Sequence, residues 1–98
     1  YRRSIVDGIG TAGLLDEMWP LASRLLAGSL VVEVEAVART IALLVDRARV
    51  LAEGAGAVSV AAALSGRAGG GKVVCVVSGG NLDLSVLDVI LRGEVPGS

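Results

Sequence analysis

The sequence lacks histidine and phenylalanine, and it contains one cysteine and one lysine among 98 residues. Without histidine, Ser-His-Asp catalysis, Cys-His catalysis and histidine metal sites are excluded. A single cysteine excludes an internal disulfide and a thiolate metal cluster, and it favours a cytoplasmic protein. The chemistry that remains must use carboxylates, hydroxyls, amides, backbone groups or a bound cofactor.

The sequence also has no large excess of charge of one sign and no long apolar run. The net charge is −1, which gives no reason to expect a nucleic-acid partner. The longest run without a charged residue is Gly54 to Gly66, 13 residues in length. A membrane-spanning helix needs roughly 18 or more apolar residues, so we expect no membrane partner.

Apolar residues are nevertheless in excess. About two thirds of the residues are apolar or glycine, against roughly 45–50% in ordinary globular domains. A single domain of 98 residues has a limited interior in which to bury them. We therefore expect the isolated chain to expose apolar surface and to associate.

Periodicity predicts an α/β fold, as part of an open, mostly parallel sheet with helices on both faces. The run Val73 to Val77 is continuously apolar, which is typical of a central parallel strand covered on both faces. Pro20 should kink the first helix. The predicted helices span residues 14–27, 33–48, 57–64 and 84–92, and the predicted strands span 4–6, 30–32 and 73–77.

Two glycine motifs suggest phosphate binding. Gly8, Gly10 and Gly13 fit the dinucleotide pattern G-x-G-x-x-G, and Glu33 lies where a ribose-binding carboxylate would follow. Asp7 and Pro20 weaken this interpretation, and a plain glycine-rich connection is the simpler one. The residues from Gly66 to Lys72 have P-loop spacing, but a strand rather than a helix follows the lysine, which argues against a P-loop.

The end of the Val73–Val77 run carries the most informative polar group. Ser78, Gly79, Gly80 and Asn81 follow it directly, and ligands collect beyond the carboxyl ends of strands in open α/β sheets. A tight turn without a ligand explains the same residues. Glu53 precedes a second small-residue segment, where a helix-capping role is the simple alternative.

Together these segments resemble a known family. EGAGAVSVAAALSG followed by KVVCVVSGGNLDL is similar to the C-terminal part of the catalytic domain of the threonine/serine dehydratases, which depend on pyridoxal 5'-phosphate (PLP) and share fold type II with serine racemases. SIVDGIG resembles an upstream segment of that family, and the resemblance covers residues 4–93 in order. It implies a lyase that converts L-threonine or L-serine to a 2-oxo acid and ammonia.

The resemblance also implies roles for individual residues. Ser78 would meet the pyridine nitrogen of PLP, and Glu53 would be a catalytic group near the cofactor and the substrate. Gly8 would line a face of the cofactor. The turn beside the ring would be shaped by Gly79, Gly80 and Asn81.

Two family features are missing from the sequence. The lysine that holds the cofactor follows a Ser-Phe motif in the family, whereas Lys72 is in a different context. The family's glycine-rich phosphate loop is also upstream of residue 1. The resemblance therefore implies that residues 1–98 are incomplete and inactive without an N-terminal remainder of the domain, and that the complete enzyme forms a homo-oligomer. A dinucleotide-binding module and a non-catalytic α/β interaction domain remain the alternatives.

Overall fold

The computed structural model describes residues 4–6 and 13–97, and α-helices joined by turns and extended segments make up this part of the chain. The helices in the described part are α1 (Trp19–Leu25), α2 (Val34–Leu43), α3 (Gly54–Leu64) and α4 (Leu84–Leu91). A wider, π-helical turn (Leu44–Ala48) continues α2.

Helix α1 is shorter than predicted. It begins at Trp19, which places Pro20 in its first turn, where the missing N–H of proline leaves no helical hydrogen bond unmade. Pro20 therefore starts the helix, and the expected kink does not occur. No residue of α1 is buried, so this helix contributes little to the core.

Helix α2 forms as its apolar spacing predicts. Val37, Ala38 and Ile41 lie on one face and are buried, whereas Arg39 on the other face is exposed. The π-helical turn ends at Arg49, whose φ of 55° is left-handed. The predicted helical stretch 33–48 is thus present, with a widened last turn.

Helix α3 begins three residues before the predicted start at residue 57, and α4 matches its prediction closely. The early start was missed because Gly54 and Gly56 have low helix propensity. Asp83 occupies the N-cap position of α4 as predicted, but its side chain makes no capping hydrogen bond.

The core lies where α2 packs against α3 and α4. Its fully buried large side chains are Val37 and Ile41. Small residues from α3 and the segment before it fill the space on one side, and Ile90 of α4 fills the other. Each large aliphatic side chain stabilises the fold by about 1.5–3 kcal/mol through burial, so α2 organises the packing.

The predicted α/β sheet is wrong for the part of the chain that the structure describes. Residues 30–32 and 73–77 form neither a helix nor a strand, and residues 4–6 form a bend and turn. A strand exists only where a neighbouring strand completes its ladder of hydrogen bonds. Residues 73–77 lie beside α3 instead, where the Ser59 hydroxyl donates to the Val76 carbonyl at 2.8 Å.

Much of the apolar excess is on the surface. Val74 is 91% exposed, Val76 is 74% exposed, and Trp19 and Leu25 of α1 are more than half exposed. These exposures agree with the expectation of an apolar surface. Within residues 4–6 and 13–97, no helix has the length and apolarity needed to cross a membrane.

Candidate functional site

The start of α3 and the turn formed by residues 78–81 lie against each other, although they are well separated in the sequence. The backbone N–H of Glu53 donates to the Gly79 carbonyl at 3.0 Å. One carboxylate oxygen of Glu53 accepts the backbone N–H of Asn81, 28 positions away, at 3.4 Å. The structure thus brings together Glu53 and the segment from Ser78 to Asn81. We call that segment the 78–81 turn.

The 78–81 turn lies in close contact with the backbone of α3 and with the segment before α3. Glycine is required at one position in each of these two contacts. A Cβ added at Gly56 would lie 2.6 Å from the Gly79 carbonyl oxygen and 3.1 Å from the Gly79 nitrogen. A Cβ added at Gly80 would overlap the carbonyl oxygen of Leu51. Any larger residue would therefore push the turn away from the helix and from the segment that precedes it.

The extended segment before the turn is also attached to α3. The Ser59 hydroxyl bonds the Val76 carbonyl, and the Cys75 thiol donates weakly to the Ser59 carbonyl at 3.6 Å. Cys75 is half-buried. Helix α3 therefore supports both the turn and the chain that leads into it.

Glu53 does not act as a helix cap. It is the N-cap residue of α3, but its side chain makes no capping hydrogen bond. Its carboxylate extends instead over the Cα atom of Gly79, where a Cβ would meet Oε1. Glu53 thus lies at the helix end that the capping alternative predicts, but the observed hydrogen bond of its side chain is to the 78–81 turn.

Polar groups at the turn remain accessible. Ser78 and Asn81 are exposed, Gly79 and Glu53 are half-buried, and the Leu82 N–H bonds the Gly80 carbonyl at 2.9 Å. A neutral hydroxyl, a carboxylate and an amide thus lie within one small region. Such a set can bind and orient a ligand through hydrogen bonds.

The other predicted sites gain no comparable support. Gly8 and Gly10 lie outside the described residues. Gly13 and Glu33 are exposed, and α1 begins at Trp19 rather than at the glycine motif, so a helix N-terminus does not follow the glycines directly. The described residues also hold no cluster of three or more acidic or cysteine side chains that suits a metal ion.

Sequence reasoning missed two residues that build the site. Gly56 provides the close contact with Gly79, and Ser59 fixes the extended segment. Ser59 had a detectable signal, since it is the single polar side chain among the residues of α3. No feature of the sequence indicated the contact at Gly56, because that contact depends on the distance between two segments that are remote in sequence.

Comparison with known proteins gives two curated relatives. The chain is 39% identical over 95 residues to the L-threonine ammonia-lyase of Geobacter sulfurreducens, an alignment that covers 94% of this chain and 24% of that protein. It is 38% identical over 90 residues to the L-threonine ammonia-lyase of Thermotoga maritima, covering 91% and 22% respectively. The chain therefore spans about a quarter of the length of these relatives. No family model and no solved structure matches it.

Proposed function

Because the chain belongs to the threonine dehydratase family, as its similarity to two L-threonine ammonia-lyases shows, we propose that it forms one segment of a PLP-dependent lyase. The parent reaction eliminates water from L-threonine or L-serine, and a water molecule then hydrolyses the resulting imine, so the net products are a 2-oxo acid and ammonia. The observation that carries this proposal is the contact of Glu53 with the 78–81 turn, within a region that the alignments cover.

The residues of the turn fit one side of a PLP site. The Ser78 hydroxyl is exposed and neutral, and it can donate or accept a hydrogen bond. The Glu53 carboxylate beside the turn already accepts the Asn81 N–H. The turn therefore offers the pyridine nitrogen a hydroxyl rather than a carboxylate, which leaves that nitrogen without a strong proton donor.

The cofactor supplies an electron sink for breaking bonds at the α-carbon of the amino acid. This chain contributes binding and orientation. Ser78 holds the ring nitrogen, the glycines keep the turn close to α3, and Glu53 presents a carboxylate beside the site. Gly8 is proposed to line a face of the cofactor.

The chain alone lacks the reactive amine. Its one lysine, Lys72, is exposed, and in the sequence it lies six residues before Ser78, outside the Ser-Phe context of the family's cofactor-binding lysine. We therefore propose that a further part of the longer protein supplies the cofactor-binding lysine and the phosphate loop. The isolated chain is expected to be inactive.

Complementation tests this function. The chain is co-expressed with the rest of the catalytic domain, and the purified complex is examined for bound PLP by its absorbance and for 2-oxo acid formed from L-threonine and from L-serine. We expect cofactor uptake, a changed cofactor spectrum in Ser78→Ala, and an unchanged spectrum in the control Ser29→Ala, which alters an exposed serine in another extended segment. A complex that takes up no PLP contradicts the proposal.

A further inference from the structure

We propose that Glu53 is a positioning residue whose carboxylate holds the 78–81 turn, and with it the Ser78 hydroxyl, in a fixed place. The inference rests on the proposed function, because it assigns Glu53 a task within the same site. It adds to the catalytic role expected of Glu53 a structural one that the contacts themselves define.

Glu53 contacts the turn at three points. Its backbone N–H bonds the Gly79 carbonyl at 3.0 Å, its carboxylate accepts the Asn81 N–H at 3.4 Å, and its Oε1 atom covers the open side of Gly79. The contacts fall on two residues that flank Gly80, so the middle of the turn is held from both sides. Ser78 lies directly before the first of them.

The turn needs such support because of its composition. Gly79 and Gly80 have no Cβ, and glycine has the largest conformational freedom to lose when a backbone is ordered. Within the turn itself, the bond from the Leu82 N–H to the Gly80 carbonyl fixes the far end. The contacts of Glu53 restrain Gly79, next to Ser78, and Asn81 on the other side of Gly80.

Glu33 provides an internal comparison. Glu33 and Glu53 are the N-cap residues of α2 and α3, and neither side chain caps its helix. Glutamate is not among the preferred N-cap residues, so capping explains neither position. Glu33 is exposed, whereas Glu53 is half-buried and bonded across the site. The long side chain at residue 53 is therefore explained by its reach to Asn81.

Backbone amide exchange measured by NMR on the ¹⁵N-labelled 98-residue chain tests this role without any cofactor. We expect Glu53→Ala to accelerate exchange of the Asn81 amide about fivefold, the factor for loss of one ordinary hydrogen bond. Glu53→Gln keeps an oxygen acceptor and removes the charge, so it should restore most of the protection. The control Glu33→Gln removes the same charge from the equivalent position of α2 and should leave the Asn81 amide unchanged.

Amides of α2 report whether each variant remains folded, and if the alanine variant unfolds, Glu53→Asp replaces it, because its carboxylate is one methylene shorter and should accelerate Asn81 exchange in the same way. Unchanged Asn81 exchange in both Glu53 variants, with α2 protected, overturns the positioning role. If Glu53→Gln and Glu53→Ala accelerate exchange of the Asn81 amide equally, the positioning role is also overturned, because loss of the negative charge at residue 53 would then explain the effect. Faster Asn81 exchange in Glu53→Ala, with protection restored in Glu53→Gln, supports the positioning role. This holds even if the complemented protein binds no PLP, because failure to bind PLP would contradict only the proposed function.

Discussion

Replacing Gly56 by alanine sets two opposing effects against each other. Gly56 is the third residue of α3, and alanine in a helix is favoured over glycine by about 1 kcal/mol. The added Cβ, however, would lie 2.6 Å from the carbonyl oxygen of Gly79. The atom that it meets belongs to backbone, so a rotation of a flexible side chain cannot relieve the overlap.

The overlap should outweigh the gain in helix propensity. Overpacking a close contact costs typically about 1–3 kcal/mol, and here it would also stretch the Glu53–Gly79 hydrogen bond. We therefore expect Gly56→Ala to lower the free energy of unfolding by about 1 kcal/mol in net terms. The turn would move away from α3, so cofactor uptake by the complemented protein should also weaken.

Urea unfolding followed by circular dichroism measures this change. Gly28→Ala is the matched control, because a Cβ at Gly28 meets nothing within 4 Å and its φ is not positive. We expect the control to keep or slightly raise the midpoint. A Gly56→Ala protein as stable as the control would refute the reasoning, since it would mean that α3 and the turn are not in close contact.

Three further predictions concern the packing around the site. Ile41→Ala should lower the free energy of unfolding by about 2–5 kcal/mol, because Ile41 is fully buried in the core, and urea denaturation measures the loss. Ser59→Ala should lower it by about 0.5–1.5 kcal/mol and speed amide exchange in the segment around Val76, whereas unchanged exchange there would contradict the bond to the Val76 carbonyl. Val74→Asp should reduce self-association in light-scattering measurements without loss of helix, because Val74 is 91% exposed; continued association would place the contact surface elsewhere.

Local sequence patterns were sufficient to predict the helices that form the core. The spacing of Val37, Ala38 and Ile41 predicts the buried face of α2, because helical periodicity alone defines it. Pro20 was placed in the correct helix but interpreted as a kink, since a sequence does not show on which residue a helix begins. The glycines at the start of α3 concealed its first turn, because glycine has a low helix propensity.

The strand predictions were wrong because β-structure is a property of two segments. The run Val73 to Val77 has high strand propensity, yet a strand requires a partner, and the described residues provide none. Val74 and Val76 consequently remain on the surface. Strand propensity carried no information about pairing, and pairing decides whether a strand forms.

The sequence allowed candidate site residues to be chosen, but it did not predict the contacts between them. Ser78 and Asn81 stood out because they follow the apolar run Val73–Val77, and Glu53 because it precedes a segment of small residues; the family resemblance linked them. The bond between Glu53 and Asn81 and the contact at Gly56 depend on how α3 lies against the turn. Such distances follow from packing, which a single sequence does not reveal.

The central claim is that the 78–81 turn, supported by Glu53, forms one side of a PLP site. NMR of the ¹⁵N-labelled chain, complexed with the unlabelled remainder of the catalytic domain and titrated with PLP, tests it most directly. We expect the largest amide shifts at Ser78 to Asn81 and smaller shifts at Glu53, and we expect Ser78→Ala to reduce them. Amide shifts that are absent from the turn, or that are centred on another part of the chain, would contradict it.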